Sequence, residues 1–185
     1  MPVSTLDPNT ALVVVDLQKG LATIEAAHPM DDVVAQSARL ARAFRERGLP
    51  VVLVTATGRP PGRTERGSGA AREFPPNFAE LMDELEPAAT DLRVVKQRWG
   101  AFTGTDLDSQ LRERGVSQVV IAGVATSAGV ESTARSAHEH GYHVVVATDA
   151  VTDRDADAHT NSVARIFPRL GETGTTDEIL ALLAG

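Results

Sequence analysis

Two charged residues and one turn of small residues are the features of this sequence that could support chemistry. Asp16 closes the apolar run 11–16, and Lys96 closes the run 94–96. The stretch 121–133 is typical of a strand that stops at a glycine, turns through small residues and starts a helix. In α/β hydrolytic enzymes this geometry presents a nucleophile, and free N–H groups of the helix can hold an oxyanion. The sequence therefore contains the frame of a hydrolytic site.

The turn lacks the usual attacking group. It ends in Ala128-Gly129, and glycine has no side chain that can attack a substrate. The chain contains no cysteine, which excludes a thiol nucleophile, a disulfide and a thiolate metal site. Ser127 and Ser132 could in principle attack with Asp16 as the base. Ser127 precedes Gly129 by two residues and Ser132 lies one turn into the helix, so we expect both to cap the helix instead.

The two charged residues and the turn should meet at one edge of a sheet. In doubly wound sheets, ligands bind beyond the carboxyl ends of the strands. A carboxylate that follows a run of valines is costly to bury unless it is paired, and Lys96 is the natural partner of Asp16. Each residue alone has an ordinary explanation, a helix cap for the acid and a structural ion pair for the lysine. Their joint occurrence with the turn favours a functional site.

The alternation of apolar runs and helical patterns indicates which scaffold positions these groups. Continuous apolar runs are typical of strands buried on both faces of a parallel sheet. The predicted strands are 11–16, 51–56, 94–96, 119–123 and 144–148, with a short one near 171–173. The predicted helices are 32–47, 106–114, 129–140, 156–169 and 176–183. This pattern predicts one α/β domain over residues 1–185, a three-layer α/β/α fold with a mainly parallel sheet of about six strands.

Residues 57–87 interrupt this alternation. The segment is rich in glycine and proline, so we predict a long loop with one helix near 78–84. Loops of this length in compact domains are usually functional lids or disordered segments. The segment also carries several arginines, namely Arg59, Arg63, Arg66 and Arg72.

Composition argues against several classes of function. The formal net charge of −7 argues against non-specific binding to nucleic acid or to an anionic membrane. No apolar run approaches the roughly 20 residues of a membrane span, and the first residues do not resemble a secretory signal. Together with the absence of cysteine, these features favour a cytoplasmic protein.

We expect no metal and no cofactor. His138 and His140 stand two residues apart on a predicted helix and point to different faces, whereas a helical zinc pair is separated by four residues. The sequence contains neither a Walker motif nor a G-x-G-x-x-G motif, so it gives no support for a nucleotide cofactor.

Motifs along nearly the whole chain resemble, in order, those of the isochorismatase-like hydrolases. This family includes nicotinamidases, N-carbamoylsarcosine amidohydrolases and true isochorismatases. The matching segments are VDLQ at 15–18, VKQRWGAF at 95–102, GVAT at 123–126, VESTAR at 130–135, AHEHGY at 137–142 and VATDAV at 146–151. The resemblance implies the same fold, a hydrolytic activity, a small-molecule substrate and a homodimer or larger oligomer. Nicotinamidases bind a metal with an Asp and two His after the second strand. This chain reads TATGRP at 55–60, without a histidine, so we expect neither a metal nor a nicotinamidase activity.

The resemblance also implies roles for individual residues. Asp16 and Lys96 align with two members of the catalytic triad of the family, and Gly129 aligns with the third, which is a cysteine in most members. A cis peptide is common at the position of Val124-Ala125, where it shapes the oxyanion hole. The residues implied to line the substrate site are Gln18, Arg59, Arg63, Trp99, Phe102, Ala125, Thr126, Ser127 and Ala128.

Several of these residues have an ordinary alternative role. Trp99 and Phe102 resemble an aromatic wall that surrounds the substrate in the family, and packing in the core is the alternative for both. Arg59, Arg63 and Arg66 could bind substrate carboxylates with two hydrogen bonds each. The alternative for the arginines is a solvated loop.

Gly129 decides between the mechanisms of the family. Its amidases attack with the cysteine and form a covalent acyl-enzyme, which this chain cannot do. True isochorismatases also lack the cysteine; an aspartate protonates an enolpyruvyl vinyl ether, water adds to the oxocarbenium, and the hemiketal collapses to pyruvate. Here Asp16 would be the acid, Lys96 its electrostatic partner, and the amides around Ala125 and Gly129 an anion or water site. Lys96 favours ionised Asp16 and burial favours the protonated form, and the sequence leaves this balance open.

Two other functions stay open at this stage. A relative without its nucleophile could be inactive and bind a small molecule or a protein partner. It could also hydrolyse an amide with a serine or an activated water. The retained Asp16 and Lys96 favour an enzyme, whereas the missing nucleophile favours a binding protein.

Overall fold

Strands and helices alternate along most of the chain. The computed structural model describes residues 2–65, 67–68 and 74–185, so Arg66 and Arg72 lie outside the described residues. The described strands are β1 (Thr10–Val15), β2 (Val51–Ala56), β3 (Arg63–Thr64), β4 (Gly67–Ser68), β5 (Leu92–Lys96), β6 (Gln118–Val124), β7 (His143–Thr152) and β8 (Glu172–Gly174). The described α-helices are α1 (Met30–Glu46), α2 (Leu107–Glu113), α3 (Glu131–Glu139), α4 (Ala156–Asn161) and α5 (Thr176–Ala184).

A parallel sheet of six strands forms the centre of the domain. Its order is β5-β2-β1-β6-β7-β8, and each neighbouring pair is parallel. This confirms the predicted sheet. Because parallel strands end at the same edge, the carboxyl ends of β5, β1 and β6 lie along one edge of the sheet. β1 and β6 are neighbours, and β2 lies between β5 and β1. Asp16, Lys96 and the turn after β6 therefore share one edge, as predicted. The short strands β3 and β4 form a separate antiparallel hairpin in the loop after β2.

Helices cover both faces of the sheet, which confirms the three-layer fold. Along β1, Ala11, Val13 and Val15 join one buried cluster, and Leu12 and Val14 join the other. The first cluster includes apolar residues of α2 and α3, and the second includes apolar residues of α1 and α5. Since both faces are buried, the strand sequence is apolar throughout instead of alternating.

The predicted helices form, with local departures from α geometry. A π-helical turn over Thr126–Val130 precedes α3. The predicted helix 156–169 is α-helical only in α4 and continues as a π turn, Ser162–Ile166, and a 3-10 turn, Phe167–Arg169. Pro168 lies in that last turn and has no N–H to continue an α-helix. Every described helix is too short or too polar to cross a membrane.

The helix predicted near 78–84 is wrong. Turns and a short 3-10 helix, Asp83–Leu85, occupy this region instead. The segment runs antiparallel to the residues that follow β1: Lys19 N–H donates to Glu80 O at 2.7 Å, and Gly20 N–H donates to Phe78 O at 3.0 Å. These backbone groups pair with a distant segment, so they cannot also complete a helix.

Candidate active site

Asp16 and Lys96 form a buried ion pair at the carboxyl edge of the sheet. Lys96 Nζ lies 2.7 Å from Asp16 Oδ2, and only 2% of the lysine side chain and 10% of the aspartate side chain are exposed. The lysine reaches past β2 to the carboxylate. Its Nζ also donates to Arg98 O at 3.2 Å. The structure thus brings together the two residues that the sequence predicted to pair.

The backbone of Asp16 has an unusual conformation. Its φ is 55°, in the left-handed region that few residues with a side chain adopt. Its N–H donates to Val54 O at 2.9 Å, and its C=O accepts from Gln18 N–H at 2.9 Å. The chain therefore leaves the sheet at the residue that carries the carboxylate. Such conformations persist only where the surroundings enforce them, and they cluster at functional sites.

Burial controls the protonation of Asp16. It raises the pKa of this carboxyl from 3.8 to about 6, although the charge of Lys96 and its hydrogen bond act in the opposite direction. Oδ2 accepts from Lys96, whereas Oδ1 is buried without a hydrogen-bond partner among the residues that the structure describes. A proton on Asp16 therefore belongs on Oδ1. The balance that the sequence left open favours a carboxyl that exchanges its proton near neutral pH.

The turn after β6 brings Gly129 against Asp16. The Val124-Ala125 peptide bond before it is cis, as the resemblance implied. A β-carbon on Gly129 would lie 3.2 Å from Asp16 Oδ2, 3.1 Å from Val15 Cγ1 and 3.0 Å from Val124 O. These distances are shorter than ordinary van der Waals contacts of carbon, so the absence of a side chain lets the turn pack this closely. The three positions that the sequence grouped together converge in space.

Gln18 supports the site instead of lining it. Its side chain is fully buried; Nε2 donates to Ala56 O at 3.1 Å and to Phe78 O at 2.9 Å, and Oε1 accepts from Ala56 N–H at 2.7 Å. Both donors of the amide are thus engaged with backbone. The role predicted for Gln18 as a substrate contact is replaced by a structural one, in which it ties the segment after β1 to the end of β2.

The two predicted wall residues lie in different surroundings. Phe102 is buried, and its ring centroid lies 5.2 Å from that of His140 and 5.9 Å from that of Tyr142. Phe102 therefore packs in the core, and its predicted place in an aromatic wall is not supported. Trp99 is 56% exposed and stands three residues beyond Lys96. Core packing does not account for Trp99, so the aromatic wall stays its predicted role.

The remaining predicted contacts lie on the loop after β2 and in the turn. Arg59 and Arg63 are exposed on that loop, whose start is held beside the lysine by a hydrogen bond from Thr57 N–H to Lys96 O at 2.9 Å. Ala125 and Ala128 are half-buried in the turn.

His159 and Asp153, which were not among the predicted site residues, hold the turn 125–129. Thr126 Oγ1 lies 2.9 Å from His159 Nδ1, and Ser127 donates its N–H (2.7 Å) and its hydroxyl (2.8 Å) to Asp153 Oδ2. The hydroxyl of Ser127 thus binds a carboxylate, and the N-cap residue of α3, Val130, makes no side-chain cap. Among the described residues, neither Ser127 nor Ser132 makes the predicted cap.

The position of Asp153 in the sequence could have identified it as a residue of the site. It follows the last residue of β7, just as Asp16 follows β1. The predicted strand stopped at residue 148, because Asp149 interrupts the apolar run. Extending the strand to its observed end would have placed Asp153 at the same edge of the sheet.

Two of the cavities formed by the described residues lie away from this site, and these residues form no cluster of metal ligands. In the part of the chain that the structure describes, no three His, Asp or Glu side chains are grouped to hold a metal ion. One cavity of about 480 Å³ lies at the amino end of the sheet beside Pro50, and another of about 510 Å³ lies beside Val34 of α1. Neither is lined by Asp16 or Lys96, so the chemistry of the side chains is the better guide to the site.

Comparison with known proteins identifies the family to which this arrangement belongs. The isochorismatase domain family matches residues 10–178. The chain belongs to this family. The isochorismatase family protein YecD of Escherichia coli O157:H7 is 39% identical over 181 residues, which cover 94% of this chain and 96% of that protein.

Solved structures agree with this assignment. An isochorismatase family protein from Burkholderia thailandensis superposes with a TM-score of 0.88 at 42% identity and covers 98% of both chains. The N-carbamoylsarcosine amidase of Thermoplasma acidophilum superposes with a TM-score of 0.74 at 28% identity, over 91% of this chain and 97% of that one. The chain therefore has the fold of the isochorismatase family as well as its sequence.

Proposed function

We propose that this protein hydrolyses the vinyl ether of an isochorismate-like acid without a covalent intermediate. The observation that carries the proposal is the Asp16 carboxyl, which is buried, bound to Lys96 through one oxygen and has its pKa raised to about 6. Gly129 packs against this carboxyl, and the resemblance to the family implies that its amidases hold their cysteine at this position. A chain without cysteine has no thiol route to an acyl-enzyme.

In the proposed reaction, Asp16 gives its proton to the terminal methylene carbon of the enolpyruvyl group. A C–H bond forms from the vinyl π electrons, and the ether oxygen shares the positive charge of the oxocarbenium ion. Water adds to the cationic carbon and loses a proton, which returns to Asp16. The hydroxyl proton of the hemiketal then passes to the ether oxygen as the C–O bond breaks, and pyruvate and the ring alcohol are released.

Lys96 serves this reaction as an electrostatic partner. Its ammonium occupies Oδ2, which leaves Oδ1 to carry the proton. When the proton leaves, the new carboxylate lies 2.7 Å from a positive charge in a buried place, where electrostatic stabilisation is stronger than in water. An acid whose pKa lies near the working pH is both protonated and able to transfer its proton. Trp99, Arg59 and Arg63 are the proposed contacts for the ring and the carboxylates of the substrate.

One observation favours hydrolysis of an amide as a second candidate function. The Ser127 hydroxyl donates to the buried Asp153 carboxylate at 2.8 Å, which is the geometry of a hydroxyl beside a base. The structural similarity to an N-carbamoylsarcosine amidase also supports the hydrolysis of an amide. Against this candidate, Ser127 lies two residues before the position of the family's nucleophile.

A product assay separates these functions. The protein is incubated with isochorismate and, separately, with a panel of small amides, and pyruvate and ammonia are measured, with Asp16→Asn as the comparison. Pyruvate from isochorismate that depends on Asp16 supports the proposal. Ammonia together with an acyl adduct on Ser127 in the mass spectrum would establish the second candidate. Neither product, with isochorismate bound unchanged in calorimetry, would make the protein a binding protein.

A further inference from the structure

Thr152 and Asp153, two adjacent residues at the end of β7, hold two separate segments of the proposed site. Ala27 N–H donates to Asp153 O at 2.8 Å, and His28 N–H donates to Thr152 Oγ1 at 3.1 Å. From the other side, Asp153 Oδ2 accepts both the N–H and the hydroxyl of Ser127. The segment that follows β1 and the turn that follows β6 are thus fastened to the same pair of adjacent residues.

A second contact holds the turn from α4. His159 Nδ1 lies 2.9 Å from Oγ1 of Thr126, a residue with no exposed surface. The rings of His159 and His28 are 4.6 Å apart. Burial lowers the pKa of His159, His28 acts in the same direction, and Asp153 opposes both. The imidazole is therefore favoured in its neutral form, which bonds a hydroxyl without introducing a charge beside the turn.

Asp153 depends on the turn for its own stability in the folded protein. The residue is 6% exposed, and no Lys or Arg among the described residues lies within ion-pair distance of its carboxylate. Its hydrogen bonds come from Ser127 and, at 3.3 Å, from Asp155 N–H. A buried carboxylate is costly unless hydrogen bonds compensate for the lost water. Since Ser127 supplies the two short bonds, the position of the turn and the solvation of Asp153 are tied together.

We propose that Asp153 and His159 are positioning residues that hold the turn 125–129 at its working distance from Asp16. The inference rests on the proposed function, because it assigns these residues to the reaction at that site. Neither of them bonds to Asp16 or Lys96; both act through the turn. The contacts around Gly129 leave little tolerance, and a displacement of about 1 Å in an active site can cost about 100-fold in rate.

The kinetic test compares two carboxylates of the β7 region, Asp153 and Asp149. Asp153→Ala should lower kcat for pyruvate release by about 10- to 100-fold and change KM by less than about twofold, because alignment is lost while the substrate contacts remain. Asp153→Asn, which keeps one acceptor, should lie between this variant and the wild type. Asp149→Ala is the matched control: this carboxylate of β7 likewise accepts an N–H and a hydroxyl from one residue, Thr176, at 2.7 and 2.9 Å, and has no hydrogen bond to the turn among the described residues. It should retain kcat within about twofold.

The histidine contact is tested in the same way. His159→Leu removes the hydrogen bond and should lower kcat, whereas His159→Asn places an amide near the former Nδ1 and should restore most of the loss. In a Thr126→Val background, His159→Leu should have little further effect, because both substitutions remove the same bond. Additive losses of kcat in the double variant would show that His159 does not act through Thr126, and would overturn its part of the proposal.

Hydrogen exchange tests the anchoring without any substrate. In the free protein, amides of residues 126–130 should exchange about tenfold faster in Asp153→Ala than in the wild type, and at the wild-type rate in Asp149→Ala. If no variant releases pyruvate or ammonia, the proposed function fails while the exchange result still decides whether the turn is anchored. Unchanged exchange and unchanged kcat in Asp153→Ala would overturn the proposal, as would an equal loss of kcat in Asp149→Ala.

Discussion

Lys96 Nζ donates to Asp16 Oδ2 at 2.7 Å, while Oδ1 of the same carboxyl has no partner among the described residues. The ammonium therefore engages one oxygen and leaves the other to hold a proton. Full ion pairing at both oxygens would favour the ionised acid more strongly. Because the lysine contacts only one oxygen, burial dominates the pKa of Asp16.

Turnover should fall as the pH rises through about 6. The proposed acid works only when protonated, and the pKa of Asp16 is raised to about 6 by burial. Above that value, each pH unit lowers the protonated fraction about tenfold, and the rate with it. Pyruvate release from isochorismate, measured from about pH 5 to about pH 8, checks this expectation. A rate that is constant over this range contradicts acid catalysis by Asp16.

The free energy of unfolding should also depend on the protonation of Asp16. The folded pKa of Asp16, about 6, exceeds the ordinary value of 3.8, so the folded state binds the proton more tightly. The resulting stabilisation is complete below about pH 4 and is lost as the pH rises through about 6, by at most about 3 kcal/mol. Urea unfolding of the wild type and Asp16→Asn at several pH values measures it, since the variant lacks this titration. Parallel pH dependence in the two proteins would be inconsistent with a raised pKa.

Asp16→Asn should lower kcat by about 10² to 10⁴, the usual size of a general-acid contribution. The amide has the shape of the carboxyl but cannot transfer the proton. Asp91→Asn is a matched control, because Asp91 is also buried and paired, with Arg45 at 2.9 Å, and its neighbours line the cavity at the amino end of the sheet. This control should lose stability and keep kcat. Full turnover in a folded Asp16→Asn protein would remove Asp16 from the mechanism.

Gly129→Cys should fold with reduced stability and acquire a reactive thiol. Its β-carbon needs the neighbours at 3.0 to 3.2 Å to move by a few tenths of an ångström, at a cost of about 1–3 kcal/mol. The nearby helix start and Lys96 should favour the thiolate, so iodoacetamide should react quickly at neutral pH. Gly129→Ala reproduces the crowding without the thiol, and both variants should lose vinyl-ether hydrolysis. The wild type has no cysteine and should be unaffected by the reagent.

An ordinary, slowly reacting thiol in a folded Gly129→Cys protein would contradict the site assignment. It would mean that position 129 does not experience the positive end of the helix and the ammonium of Lys96 together. Unfolding measurements on Gly129→Ala separate this outcome from a simple loss of structure, because both variants carry the same β-carbon.

The sequence by itself determined the architecture and the missing nucleophile. Buried parallel strands require continuous apolar runs, and these are visible without any knowledge of contacts. The positions of Asp16 and Lys96 at the ends of such runs placed them at one edge of the sheet, since all parallel strands end there. The absence of cysteine is a fact of composition, and it excluded thiol chemistry before any geometry was known.

Only the tertiary structure decided the electrostatics and the supporting contacts. The pKa of Asp16 depends on how deeply the carboxyl is buried and on how one lysine, 80 residues away in the chain, approaches it. Gln18 and the segment near Phe78 took different roles from those predicted because their hydrogen bonds are made with distant segments. For Phe102, ring contacts with distant residues favoured core packing over the aromatic wall. Local sequence patterns report which residues are apolar and where elements end. They do not contain the distances between side chains brought together by folding, and those distances determine protonation, packing and the position of the turn.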